Sequence, residues 1–251
     1  MGKQVKSQIK KAETVKLIKQ VMASELETKF VAETVDNLPH NSPITGGDKT
    51  RLLPRLVQDQ GEGNAYERLG TKISPKKLKI NCHVNLTNGL DRSTAVTVHW
   101  FALHSRQFKE MNTVLSSANM SRLLRTGNSG QYFPFDGNVD VAMLPVNNTD
   151  FTVIRRGSFN LSKNTGYVQD ATIAGNQPIV GPVSKSWSFD IPCPAKLIYE
   201  QDNNTPRTTY YPNNFAPFIV FGYTHQDGSV PDQANQDITC IVQTQLWYDD
   251  A

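Results

Sequence analysis

Leu78, Ile80, Cys82, Val84 and Leu86 alternate strictly with Lys77, Lys79, Asn81, His83 and Asn85. A period of two puts one set of side chains on each face of an extended strand, so this stretch has one dry face and one wet face. A helix repeats after about 3.6 residues and would smear the apolar set around its surface. The segment is therefore a sheet wall. A polar stretch punctuated by Gly61, Gly63 and Gly70 runs straight into it.

The same logic recurs downstream. Alternating or doubly apolar patterns predict strands over 76–86, 94–104, 139–145, 151–162, 183–192, 195–201, 215–225 and 237–249. In the second of these, Val96, Val98, Trp100 and Ala102 share one parity while Phe101 and Leu103 take the other. Both of its faces need cover, from a second layer or a neighbouring subunit. A stripe of Met111, Leu115, Met120, Leu123 and Leu124 predicts a helix within 108–124. The connections 164–182 and 202–214 are rich in Gly, Pro and Asn and read as surface loops. Eight antiparallel strands with no βαβ rhythm predict an all-β fold, an eight-stranded jelly-roll sandwich. An immunoglobulin-like sandwich is the second choice, disfavoured by the long loops and the lack of a Cys…Trp…Cys pattern.

The first 57 residues are patterned differently. Residues 1–29 hold Lys3, Lys6, Lys10, Lys11, Lys16, Lys19 and Lys29 against Glu13, Glu25 and Glu27, an excess of +4 in a chain whose total is +3. The body is left close to neutral. Apolar residues in this arm spread around the helical wheel, so a disordered or partly helical segment is expected. Pro39, Pro43, Gly46 and Gly47 mark a linker over 36–47. The division expected is a basic arm and linker at 1–57 and a jelly-roll domain at 58–251.

Such an arm neutralises phosphates by counterion release without reading bases. Its lysines, with Arg51 and Arg55 just before the body, are the candidate nucleic-acid contacts. A solvated helix packed on a partner subunit is the competing reading of the same lysines.

Catalytic and metal chemistry find little footing. Gly61-x-Gly63 has Tyr66 where a dinucleotide loop needs a third glycine, and Gly47-Asp48-Lys49-Thr50 lacks the upstream glycine of a phosphate loop. His99 and His104 fall on opposite parities of one strand and so cannot share a metal, while His83 and His99 could be cross-strand neighbours on one face. No serine sits in a nucleophile elbow. Cys82, Cys193 and Cys240 have no CxxC spacing, and the first and last lie on apolar faces, where a thiol packs as a small hydrophobe. The expectation is a protein that is not an enzyme, with no metal, no cofactor and no membrane insertion.

Gln60-Gly61-x-Gly63 followed by Arg68-Leu69-Gly70-x-Lys72-Ile73 resembles the entry to the first jelly-roll strand in a family of viral capsid proteins. These belong to small circular single-stranded DNA viruses that encode a replication initiator, the circovirus-like group, and to related plant satellite RNA viruses. Trp100-Phe101, Phe151-x-Val153-Ile154-Arg155-Arg156, Trp187 ahead of Ile191-Pro192, and the closing Leu246-Trp247-Tyr248-Asp249-Asp250-Ala251 fit the same order.

The resemblance implies a virion protein made in the host cytoplasm and assembled there or in the host nucleus. It would self-associate as a shell of about sixty copies, enclose single-stranded nucleic acid, DNA by this kinship, and meet a host receptor of unknown identity. The arm departs from many such capsids in lacking arginine. At about +5 from residues 1–20, sixty arms supply on the order of 300 charges, far fewer than the phosphates of a genome of a few thousand nucleotides. Polyamines, divalent ions or residues of the body must then contribute, or the arm orders subunits as a helix. The alternative function is a soluble β-sandwich recognition module, a lectin-like protein or a trimeric ligand.

Overall fold

The computed structural model describes residues 14, 28–40, 43–58, 67–86, 95–126, 130–162, 183–200, 210–231 and 238–250, with 37, 39 and 40 described by backbone alone. In chain order the strands are β1 (Thr28–His40), β2 (Thr50–Arg51), β3 (Lys72–Leu86), β4 (Val96–Ser105), β5 (Leu124–Arg125), β6 (Tyr132–Phe133), β7 (Phe151–Leu161), β8 (Ser184–Ile191), β9 (Leu197–Ile198), β10 (Pro217–His225) and β11 (Ile238–Asp250). Two short helices, α1 (Met111–Ser117) and α2 (Val139–Ala142), lie between β4 and β7.

One sheet has the order β1-β11-β3-β8, with β9 added to the start of β3, and the other has the order β2-β10-β4-β7. Every pairing in both is antiparallel. Setting aside the short β5, β6 and β9, the first strand pairs with the last, the second with the second-last, and so inward to β4 with β7. That nesting is a long hairpin rolled up on itself, the jelly roll, and the all-β sandwich expected from the sequence is what forms.

The alternation in β3 does its expected work. Leu78, Ile80, Cys82 and Val84 are buried, facing the other sheet, and pair in register with Leu246, Thr244, Val242 and Cys240 of β11. Burial pushes the Cys82 thiol up to about 12, so it behaves as the small hydrophobe the pattern implied. Trp100 of β4 joins the layers, its ring 5.4 Å from Trp187 and stacked 5.3 Å from Phe189 of β8. The neighbour opposite Trp100 on β7 is Gly157, where an added Cβ would meet the indole at 2.9 Å.

All nine residues of β10 are buried. The strand lies inside its sheet, and residues 106–126 and 130–150 fold back over its outer face, bringing Phe135 to 5.4 Å from His99 and 6.3 Å from Phe101. The second cover that the doubly apolar β4 required is thus supplied by its own chain. Lys49 locks this flap down by donating to the carbonyls of Val114 and Ala118 at 3.0 and 2.8 Å, which caps the C-terminal end of α1. Arg68, fully buried, lies 4.6 Å over the Tyr199 ring and donates to the Gly70 carbonyl at 2.6 Å, fixing the approach to β3.

Several expectations are corrected. Residues 139–145 begin as α2, because Asp136 accepts from the Asn138 amide at 3.0 Å and starts a turn where the Val139/Val141 alternation implied a strand. The strand at 195–201 shrinks to Leu197–Ile198, and the helix at 108–124 divides into α1 and a 3-10 turn at Met120–Arg122. The boundary expected at 57/58 falls inside the sandwich. β1 and β2 lie in the stretch read as arm and linker, and Leu52, Leu53 and Leu56 are core residues. The glycine-rich entry segment leads into β3, the third strand of the roll and not the first; residues 59–66 lie outside those described. His83 and His99 sit on different sheets and are not neighbours.

Candidate nucleic-acid interface

Of the candidate contacts, Lys3, Lys6, Lys10, Lys11, Lys16 and Lys19 lie outside the described residues. The other three are described, and each is already engaged with the protein. Lys29, near the start of β1, pairs with Asp250 at 2.7 Å and donates to the Glu67 carbonyl at 2.7 Å. Asp250 also accepts from the Leu69 amide at 3.2 Å, so this knot ties the first strand to the last and to the approach of β3.

Arg51 and Arg55 converge on one carboxylate. Glu33 of β1 pairs with Arg51 of β2 and, at 3.4 Å, with Arg55, whose backbone amide it also accepts at 2.8 Å. Arg51 lies 5.7 Å over the Tyr211 ring, and Arg55 lies 6.0 Å over Tyr210 while donating to the Tyr211 hydroxyl at 3.3 Å. That hydrogen bond raises the Arg55 pKa above its ordinary value. The cluster laces the edges of the two sheets together. It holds two cations against one anion, and Arg55, with 56% of its side chain exposed, presents the outward charge.

The outer face of the β1-β11-β3-β8 sheet holds a second group of residues. Phe30, Trp247 and Lys77 stand in one row across β1, β11 and β3. The Phe30 and Trp247 ring centres are 4.9 Å apart, and the Lys77 ammonium lies 6.0 Å from the centre of the Trp247 ring. Phe30 is 45% exposed. The next row carries Ala32, Gln245, Lys79 and Asp190, and beyond it come Thr34, Gln243, Asn81 and Ser188.

Side-chain amides join these rows. Asn81 and Gln245 both donate to the Gln243 side-chain oxygen, at 3.1 and 3.0 Å, and Gln243 donates to Thr34 at 3.4 Å. Thr34, Asn81 and Gln243, with His83 and Ser186 2.7 Å apart, border a shallow depression of about 450 Å³. Sequence reasoning missed this face because it treated the polar parity of β3 as solvent-facing and placed Phe30 in the arm. The signal available was Phe30-x-Ala32-x-Thr34, a period-two run inside the supposed tail.

His225, Ser229 and Asp227 come together in one tight turn, but the serine hydroxyl donates to Asp227 at 2.6 Å while His225 Nδ1 lies 2.9 Å from the same oxygen. The serine hydroxyl thus donates to the carboxylate, whereas an activated nucleophile donates to the imidazole. Among the described residues no group of His, Cys, Asp and Glu could hold a metal ion, and no helix is long and apolar enough to cross a membrane.

No protein-family model and no curated protein matches the sequence. Among solved structures, that of Desmodium yellow mottle tymovirus overlaps 89% of this chain and 89% of its own at 10% identity, with a TM-score of 0.30. The mavirus penton protein overlaps 90% of this chain and 100% of its own at 8% identity, with a TM-score of 0.19. Overlaps this loose carry no weight for function, which must be read from the chain's own residues.

Proposed function

We propose that this chain is a structural capsid subunit that self-assembles into a small closed shell around single-stranded nucleic acid, DNA on the resemblance noted above. The observation that carries the reading is the pairing of a fully nested jelly roll with a lysine-rich segment joined to it at Thr28, the first residue of edge strand β1. A rigid sandwich supplies a building block of fixed shape, and a cationic segment on its edge supplies a tether to a polyanion. Lys3, Lys6, Lys10, Lys11, Lys16 and Lys19 neutralise phosphates in this scheme, and Arg55 adds a contact from the body. The role is architectural, not enzymatic, and the working location is the virion.

Electron microscopy and light scattering of the purified full chain, across a range of salt concentrations, test this directly. Closed particles of uniform diameter are expected. A species that stays a monomer or trimer under every condition overturns the proposal, and specific glycan binding by such a species would establish the lectin-like alternative.

A further inference from the structure

We infer that the outer face of the β1-β11-β3-β8 sheet, at the root of the arm, is a stacking platform for single-stranded nucleic acid, built from Phe30, Trp247, Lys77 and Lys79. The inference deepens the proposed function, which it needs only to say that this face turns toward the shell interior.

The row supplies the two things a sequence-tolerant single-strand site requires, aromatic faces for bases and cations for the backbone. The half-exposed Phe30 and the adjoining Trp247 present a tilted aromatic step, and Lys77 and Lys79 flank it on β3. Asp249, opposite Thr28 one row away, is buried and held by Lys76 at 2.7 Å, and Asp190 lies opposite Lys79. Asp190 meets Lys77 at 3.5 Å with both side chains more than half exposed, a pair worth little against a phosphate. Lys79 has no ion-pair partner among the described residues. Beyond the step, Gln245, Gln243, Asn81 and Thr34 form a band of amides and hydroxyls that can meet base edges of any identity.

Three arguments select nucleic acid over a second copy of the chain as occupant. A sister subunit would have to desolvate both lysines and the amide band, whereas a nucleic-acid strand brings phosphates and base donors and acceptors to them. The arm joins the fold at Thr28, two positions before Phe30, so a strand held by the arm's lysines is delivered to this row. The arms alone are also far short of the charge a genome requires, and residues of the body are one source of the remainder.

The test is titration of the full-length protein with an oligo-thymidylate, with inorganic polyphosphate of matched charge as control. Trp100 and Trp187 stack on each other between the sheets whereas Trp247 lies on the outer face, so a Trp247→Phe variant separates its emission from theirs. The oligonucleotide should quench tryptophan emission and polyphosphate should not. Trp247→Phe should abolish most of the quench while retaining affinity, because a ring remains. Phe30→Ser with Trp247→Ser should weaken binding about tenfold, and Lys77→Gln with Lys79→Gln should flatten the salt dependence.

An undiminished quench in Trp247→Phe, or unchanged affinity in the double serine variant, overturns the platform. So does a double serine variant that binds the oligonucleotide normally and forms no particles, since the row would then be a contact between subunits. Quenching by a protein that never forms particles leaves the platform standing and overturns the capsid reading.

Discussion

Gly222 shows how closely the flap over β10 is seated. A Cβ at this position would meet the Phe135 ring at 2.6 Å and the Ile44 side chain at 3.0 Å, both of which are buried. Neither neighbour can swing away into solvent, so Gly222→Ala must push Phe135 off the sheet or bend β10. A loss of about 1–3 kcal/mol is expected, the usual cost of overpacking a dense core. Thermal unfolding of the variant would show it, and an unchanged midpoint would mean that the flap is loosely held. Glu33 is the corresponding polar key, one carboxylate shared by Arg51 and Arg55, joining β1 of one sheet to β2 of the other.

β1 is the element on which the limits of the structured unit depend. It pairs with β11 from Thr28 to His40, so its removal strips the outer neighbour from a strand at the centre of the molecule. Deleting residues 1–27 should leave the melting transition unchanged while lowering the nucleic acid co-purified at moderate salt, read as the ratio of absorbance at 260 and 280 nm. Deleting residues 1–40 should yield aggregated or unfolded protein. A well-folded product of the longer deletion would show β1 to be dispensable.

The strands that were legible, β3, β4, β7, β8, β10 and β11, are those whose own side chains declare two faces. β1 was hidden because Glu33 occupies an inward position between Val31 and Val35, and its neutralising arginines come from β2 and the segment just after it. An inward charge is a device of edge strands, and it defeats a local hydrophobic count. β2 is too short, at two residues, to have a period. In α2, Val139 and Val141 alternate with polar or small neighbours as a strand would, and only the turn begun by Asp136 distinguishes them. The candidate interface was half legible for the same reason. Cations are visible singly, but the meeting of Phe30, Trp247 and Lys77 exists only after three distant strands align.

At the scale of the whole molecule, acid should lower stability. Burial holds His99 and His104 below the ordinary imidazole value of 6.5; for His104 a hydrogen bond with the Ala216 backbone offsets part of this. The unfolded chain therefore takes up protons that the folded one resists. Stability from this source is fully present above pH 6.5 and falls as the pH drops below it. Denaturant midpoints at about pH 7.5 and pH 5.5 should differ in that direction, and His99→Gln with His104→Gln should narrow the difference. Equal midpoints in the parent protein would show that neither ring is held neutral.

The hydrogen bond from Thr28 to Asp249 spans 221 residues. During synthesis on the ribosome, β1 emerges early and waits, its edge unsatisfied, until β11 has cleared the exit tunnel. The final docking step is slow by its long loop closure. A nascent chain is thereby kept from its finished shape until Ile238–Asp250 is free to pair, which delays any surface that depends on the closed sandwich.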